Sequence, residues 1–248
     1  MTHRVPSQSL RVVLVSTRNP LNIGAVARAM SNFGFQHLRV VRPYEAAFRD
    51  ARSAVGAEEL LAQAAQFETV AEAVADCSLI VGTTAAKQRA VRHGLFSLQN
   101  AAPKILGACV NASGQKANVA VLFGSEKTGL SNEDLSYCHW LMHIPTDQQQ
   151  RSMNLGQAVA VCLYELARGS ADPGAVPAAE AASAADLDRI TDLLSQVLHS
   201  SGYLEANPSP VREEALRRII RRLALSADDA PLLLGMLRQI LWKLSSQR

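Results

Sequence analysis

Short runs rich in branched apolar residues alternate with alanine-rich stretches along the first 168 residues, and this alternation limits the possible fold more than any other feature. The runs are Leu10–Ser16 (LRVVLVS), His37–Val41 (HLRVV), Ser78–Gly82 (SLIVG), Asn118–Phe123 (NVAVLF) and Trp140–Ile144 (WLMHI). Each is apolar nearly throughout, not at alternate positions, as expected of a strand covered on both faces. Between them, 22–33, 57–75, 99–111 and 131–137 read as helices. Such alternation predicts a layered α/β domain built on a parallel sheet.

The pattern changes after Arg168. The segment Gly169–Ala185 (GSADPGAVPAAEAASAA) has the Ala, Gly and Pro content of a linker. Beyond it 186–202, 210–225 and 229–244 have helical periodicity, with Asn207-Pro208 and Pro210 separating the first two. The expected organisation is therefore a domain at 1–168, a linker at 169–185 and a small all-α extension at 186–248. On the middle helix Leu216, Ile219, Ile220 and Leu223 share one arc, and Arg217, Arg218, Arg221 and Arg222 share the opposite one. That pattern predicts one apolar face and one arginine face. The extension is too small to hold a core alone, so it is expected to dock on the main domain or on a partner chain.

Composition narrows the function classes. With 48% apolar residues the chain is globular, and no apolar run approaches the roughly 20 residues of a membrane span. The N-terminus has neither the apolar length nor the cleavage site of a signal peptide, and a cytoplasmic location is expected. Cys77, Cys109, Cys138 and Cys162 lie far apart with no CxxC pair, which argues against a zinc site or a disulfide framework. The net charge is only +3, yet residues 1–52 carry eight arginines against Glu45 and Asp50. Arg212, Arg217, Arg218, Arg221 and Arg222 form a second cluster. Arginine suits bidentate phosphate contacts, so RNA or DNA is a plausible partner; ordinary solvated surface is the other reading.

Three segments at strand exits could carry chemistry. In NPLNIGAVARAM (Asn19–Met30), Asn22 is read as the cap of a helix that turns Ile23, Val26, Ala27, Met30 and Phe33 inward and ends at Gly34. Arg28 falls about 140° from Ile23, off that stripe. In VLFGSEKTGL (Val121–Leu130) a strand runs into a loop with Gly124, Glu126 and Gly129, followed by a capping box at Ser131–Asp134. Neither GxGxxG nor a Walker GK[ST] ending is present, which disfavours nicotinamide or ATP chemistry. In IPTDQQQRSMNLGQAVAVCLYE (Ile144–Glu165), Ser152 and Asn154 open a helix that is apolar nearly all round and is expected to be buried on every side, either in a core or at an oligomer interface. A lesser fourth exit is Val81–Arg89 (VGTTAAKQR).

Taken in order, N-x-G-A-x-x-R (Asn22 to Arg28), F-G-x-E-x-x-G-L (Phe123 to Leu130) and I-P…S-x-N-L-x-x-A (Ile144 to Ala158) resemble the motifs of the SpoU/TrmH class of SPOUT RNA 2′-O-methyltransferases. The GTTA stretch and the tail from Gly202 to Ile240 resemble the TrmJ-type tRNA (cytidine/uridine-2′-O)-methyltransferases. The resemblance implies a parallel-sheet domain with a C-terminal trefoil knot, an exception to the rule that chains do not thread loops. It also implies a pocket for S-adenosyl-L-methionine, no metal, and a homodimer. Carried over by motif, the cofactor contacts are Thr83, Thr84, Ala85, Gly124, Ile144, Ser152, Met153 and Asn154. The catalytic positions are Asn22, Arg28, Glu126, Ser152 and Asn154. RNA contacts fall to Arg18, Arg28, Arg217, Arg218, Arg221 and Arg222. Ser125 stands where relatives often have arginine, and Met153 replaces the usual leucine, a volume-conserving change.

The implied reaction is attack by a ribose 2′-hydroxyl of tRNA on the cofactor methyl group, with nucleotide 32 of the anticodon loop as the target. Arg28 would act as base or as electrostatic stabiliser, oriented by Glu126. A ribosomal RNA ribose is the alternative substrate, and a non-catalytic RNA-binding module the alternative class.

Overall fold

The structure is a computed structural model that describes residues 7–44, 56–85, 93–110, 116–147, 149, 152–168, 180–204 and 210–246. Seven strands, β1 (Leu10–Val15), β2 (His37–Val41), β3 (Ala65–Phe67), β4 (Cys77–Thr83), β5 (Leu95–Ser97), β6 (Asn118–Phe123) and β7 (Trp140–His143), form one sheet. Every pairing is parallel, in the order β3-β2-β1-β6-β4-β7-β5. Among the described residues, six helices belong to this domain: α1 (Pro20–Phe33), α2 (Glu58–Ala62), α3 (Val70–Val74), α4 (Leu98–Ala108), α5 (Asn132–Ser136) and α6 (Leu155–Arg168). Three more, α7 (Ala184–Ser200), α8 (Pro210–Arg222) and α9 (Asp229–Ser245), form the extension. The α/β class and the all-α extension match the reading of the sequence.

The apolar runs are buried on both faces because successive side chains leave the pleat on opposite sides. Leu10, Val12 and Leu14 of β1 join Val121 and Phe123 of β6 in one layer, closed by Ile23, Val26 and Met30 of α1 and Val159, Cys162 and Leu166 of α6. Val13 and Val15 point the other way, into a layer with Ala120, Leu122, Ile80, Leu141 and Val70. Each fully buried aliphatic side chain contributes about 1.5–3 kcal/mol, so the two-sided burial of β1 and β6 dominates the stability of the domain. Ala184, from α7, completes that second layer. The extension has its own apolar cluster around Leu187, Ile190, Ile220, Leu234 and Leu237.

Several expectations need correction. The single helix at 57–75 is two short helices with β3 between them. The break comes at Thr69, whose side chain accepts from the Glu72 amide while Glu72 reaches back, a capping box that starts α3 afresh. Strands β3 and β5 were not expected; three residues at a sheet edge leave too little apolar pattern to detect. Within the single chain, helix α6 leaves one side uncovered, with Val161 38% and Tyr164 54% exposed. Helix α7 begins at Ala184, capped by Ser183, inside the expected linker.

Helix α8 departs most from its amphipathic reading. Arg221 is 1% and Arg218 7% exposed, alongside buried Ile220, while Ile219 (44%) and Leu223 (54%) face solvent. The expected arginine face is therefore turned inward. It faces inward because acceptors wait there: Arg221 Nη2 pairs with Asp188 Oδ1 at 2.9 Å, and its Nε donates to the Tyr137 carbonyl at 3.0 Å. Arg217 Nη1 donates to Ser136 Oγ at 2.8 Å and lies 4.3 Å above the Tyr137 ring. Arg218 reaches Glu214, and only Arg222 of the four stays exposed.

Candidate active site

Open parallel sheets bind ligands beyond the carboxyl ends of their strands, and here β1, β6, β4 and β7 end side by side. The chain leaves β1 through Ser16, held at φ 53°, a left-handed conformation rare outside glycine and often found near functional sites. Arg42 at the end of β2 has φ 49° and donates from Nε to Ser16 Oγ at 3.3 Å. The cap of α1 is Asn19, not Asn22: Asn19 Oδ1 accepts from the Leu21 amide at 2.9 Å, and Pro20 occupies the first helical position. Gly34, at φ 76°, ends the helix as expected.

Because it does not cap the helix, Asn22 is free to link the three motifs. Its Nδ2 donates to Glu126 Oε1 at 2.9 Å, and its Oδ1 accepts from Asn154 Nδ2 at 2.8 Å. Asn154 Oδ1 in turn accepts the Gly156 amide at 2.9 Å and caps α6. The ladder has one consistent polarity. An ionised carboxylate only accepts, so the Asn22 amide group faces Glu126, and this orients both asparagines. The Arg18 and Asn19 amides also point at Glu126, at 3.4 and 3.3 Å. Burial raises the Glu126 pKa, but the Asn22 donor and these backbone amides outweigh it and hold the carboxyl below its ordinary value. Glu126 is thus an anion at neutral pH, suited to orienting groups and not to donating a proton.

The Gly124 loop closes on itself. A Cβ on Gly124 would lie 2.1 Å from the Gly129 carbonyl carbon, so the close approach that requires glycine is made by the chain's own backbone, not by a ligand. Ser125 Oγ and Thr128 Oγ1 are 2.8 Å apart, and the Gly129 amide donates to the Ser125 carbonyl. The expected capping box follows, with Ser131 and Asp134 exchanging hydrogen bonds. Asp134 also receives Arg42 Nη2 at 2.7 Å.

The other strand exits are tied to each other. Thr83 Oγ1 donates to the Leu122 carbonyl at 2.8 Å, and the Thr84 amide to the Met142 carbonyl at 3.0 Å. These bonds draw the ends of β4, β6 and β7 into one rim. Thr83, Thr84, Ile144 and Met153 are half-buried along it; Ala85, Ser152 and Asn154 are exposed. Lys87 and Arg89 lie outside the described residues. Arg28 is exposed six residues beyond Asn22, and its guanidinium nitrogen is 3.5 Å from where a Cβ on Gly56 would sit. The Glu126 carboxylate accepts hydrogen bonds from Asn22 and from the backbone amides of the β1 exit. Arg18 is exposed beside this site, whereas Arg217 and Arg221 are taken up in the docking of α8 and Arg218 pairs with Glu214 on the same helix. Sequence reasoning missed Arg42, Tyr137 and Asp188, whose partners lie far away in the chain.

Three sequence motifs thus meet at one end of the parallel sheet, around an oriented asparagine pair. The SpoU rRNA Methylase family model matches residues 9–164, and the chain belongs to that family, in its TrmJ-type branch. The tRNA (cytidine/uridine-2′-O-)-methyltransferase TrmJ of Klebsiella pneumoniae is 35% identical over 241 residues, 94% of this chain and 96% of that protein. The TrmJ of Yersinia pestis is 33% identical, with 94% and 91% covered. The crystal structure of TrmJ from Z. mobilis ZM4 superposes with a TM-score of 0.77 at 30% identity, covering 93% of this chain and 98% of that one. The protein is therefore a methyltransferase, and S-adenosyl-L-methionine is its cofactor. The rim suits that group: the Thr83 hydroxyl, whose proton goes to the Leu122 carbonyl, keeps its acceptor lone pairs, and half-buried Ile144 and Met153 supply apolar surface.

Proposed function

We propose that the protein methylates the ribose 2′-hydroxyl of cytidine or uridine in tRNA, at nucleotide 32 of the anticodon loop. The observation that carries this reading is the Glu126–Asn22–Asn154 ladder, which joins all three motifs at one sheet end. In this reading Thr83, Thr84, Ala85, Gly124, Ile144, Ser152, Met153 and Asn154 hold the cofactor. The sulfonium of bound S-adenosylmethionine supplies an already activated methyl group. The protein's part is then to position the hydroxyl and handle its proton. Asn22 and Asn154, locked by Glu126, fix the attacking ribose. Arg28, outside the ladder and exposed, binds the adjacent phosphate and stabilises the forming alkoxide, whose proton leaves to solvent water because a guanidinium is a poor proton acceptor.

The proposal includes the trefoil knot in the segment ending at α6, and a homodimer. The exposed side of α6, with Val161 and Tyr164, and Leu21 of α1, 80% exposed, favour the dimer. Arg18 and Arg222 remain exposed to meet RNA phosphates. The test is 2′-O-methyl mapping of total tRNA and rRNA treated with the protein and S-adenosylmethionine. A new methyl at tRNA nucleotide 32 is the expected result. Methylation of rRNA alone, or none in either pool, overturns the reading.

A further inference from the structure

Helix α5 is only five residues long, yet it separates the Gly124–Leu130 loop from β7, and side chains from outside hold it at both ends. Arg42 holds its first turn through Asp134. Its last turn is held from the extension: Arg221 Nε donates to the Tyr137 carbonyl, and Arg217 lies over the Tyr137 ring while bonding Ser136. A cation on the closing carbonyl of a helix satisfies an acceptor that the helix cannot.

The turn that Arg221 holds lies against the end of β4. The Ile80 amide donates to His139 Nδ1 at 3.1 Å, and the His139 amide donates to the Ile80 carbonyl at 2.9 Å. Two residues on, Gly82 leaves no slack: a Cβ there would be 2.8 Å from both Cys138 Sγ and Leu141 Cδ2. Thr83 and Thr84 follow at once, and the Thr84 amide is bonded to Met142. So three successive contacts, Arg221 to Tyr137, His139 to Ile80 and Cys138 to Gly82, connect α8 to the rim of the cofactor site.

Arg221 does not have the arrangement expected of a residue present for stability alone. It is 1% exposed, its ion pair with Asp188 is single, and its Nη1 has no hydrogen-bond partner among the described residues. A buried pair with an unsatisfied donor is often no more stabilising than an apolar pair of the same volume. What Arg221 provides that an apolar residue cannot is a directed bond to the Tyr137 carbonyl. We propose that Arg221 is a positioning residue for the S-adenosylmethionine site, holding the Tyr137–His139 turn so that the β4 exit presents Thr83–Ala85 in binding geometry. The extension thus governs cofactor affinity, beyond any contact it makes with RNA. This rests on the reading that Thr83–Ala85 hold the cofactor.

The test uses the full chain and calorimetric titration with S-adenosylmethionine. The double variant Arg221→Met/Asp188→Leu removes both charges together and keeps an apolar contact, which protects folding. It is expected to raise the cofactor Kd about tenfold. The KM for S-adenosylmethionine rises by a similar factor, kcat at saturating cofactor changes less than twofold, and tRNA affinity without cofactor is unchanged. Arg221→Lys keeps the charge beside Asp188 but lacks the fork for two partners, and does not rescue the affinity. Arg217→Ala disturbs the same turn from the surface and gives a smaller rise, an independent reading should the double variant not fold. Arg189→Ala, an exposed substitution on α7, is silent. Cofactor affinity within twofold of wild type in the double variant, or in Arg217→Ala if only that one folds, overturns the proposal. Ala85→Leu separates the two readings. If it leaves cofactor affinity intact, the assignment of the β4 exit is at fault; if it weakens binding while the Arg221 variants do not, only the positioning role is lost.

Discussion

At Asn22 a single side-chain amide is committed in both directions, to Glu126 and to Asn154. Asn22→Ala leaves both partners unsatisfied and is expected to cost about 1–3 kcal/mol in urea unfolding, together with most of the methyl transfer. Unchanged stability would mean that solvent satisfies those partners. Arg28→Ala is expected to lose at least about a hundredfold in single-turnover transfer with little change in cofactor affinity, and Arg28→Lys not to restore it. Near-normal turnover would return Arg28 to the solvated surface. His139 gives a pH signature: burial, then the nearby Arg221 charge, pushes its pKa from 6.5 down to about 3. Between those values the unfolded chain binds the extra proton, so stability is full above about pH 6.5 and falls as pH drops, by up to about 1.4 kcal/mol per pH unit. Urea midpoints at pH 7.5, 6 and 5 should show this slope, and it should shrink in His139→Gln. Asn22, Glu126 and Asn154 were legible in the sequence because each belongs to a motif. Their mutual hydrogen bonds were not, and Asn22 was mistaken for a cap because Asn19 has the same chemistry one turn earlier.

Among the helices, two glycines test how closely the elements approach. A Cβ on Gly156 of α6 would sit 2.6 Å from the Ala25 Cβ of α1, whereas one on Gly235 of α9 would meet nothing within 4 Å. Replacing a helical glycine by alanine gains about 0.5–1 kcal/mol of propensity, and overpacking a tight contact costs about 1–3 kcal/mol. Gly235→Ala should therefore raise the melting temperature and Gly156→Ala lower it; the same sign in both would show that α1 and α6 can separate freely. The central strands were readable because burial on both faces gives continuous apolar runs. The facing of α8 was not. A helical wheel assumes that arginine seeks water, but Asp188 and the Tyr137 carbonyl, 33 and 84 residues away from Arg221, supply the acceptors that draw it inward.

For the whole molecule, the proposed homodimer predicts light scattering at twice the 26.7 kDa chain mass at low micromolar concentration, and a monomer there would refute it. Glutamate at both Val161 and Tyr164 should dissociate the dimer, because each charge would have to be desolvated at the interface. The sequence marked the extension as a separate helical unit, but it could not show that Ala184 enters the domain's second core layer or that Arg221 closes the Tyr137 turn. Those contacts have a consequence for biosynthesis. A ribosome adds roughly 5–20 residues each second, so several seconds pass between the emergence of α6 and that of α8. Throughout that interval the second core layer lacks Ala184, and the Tyr137 carbonyl lacks its Arg221 donor. The nascent chain carries an open flank until its last third arrives, and stalled or prematurely ended translation products would expose that flank to chaperones and proteases.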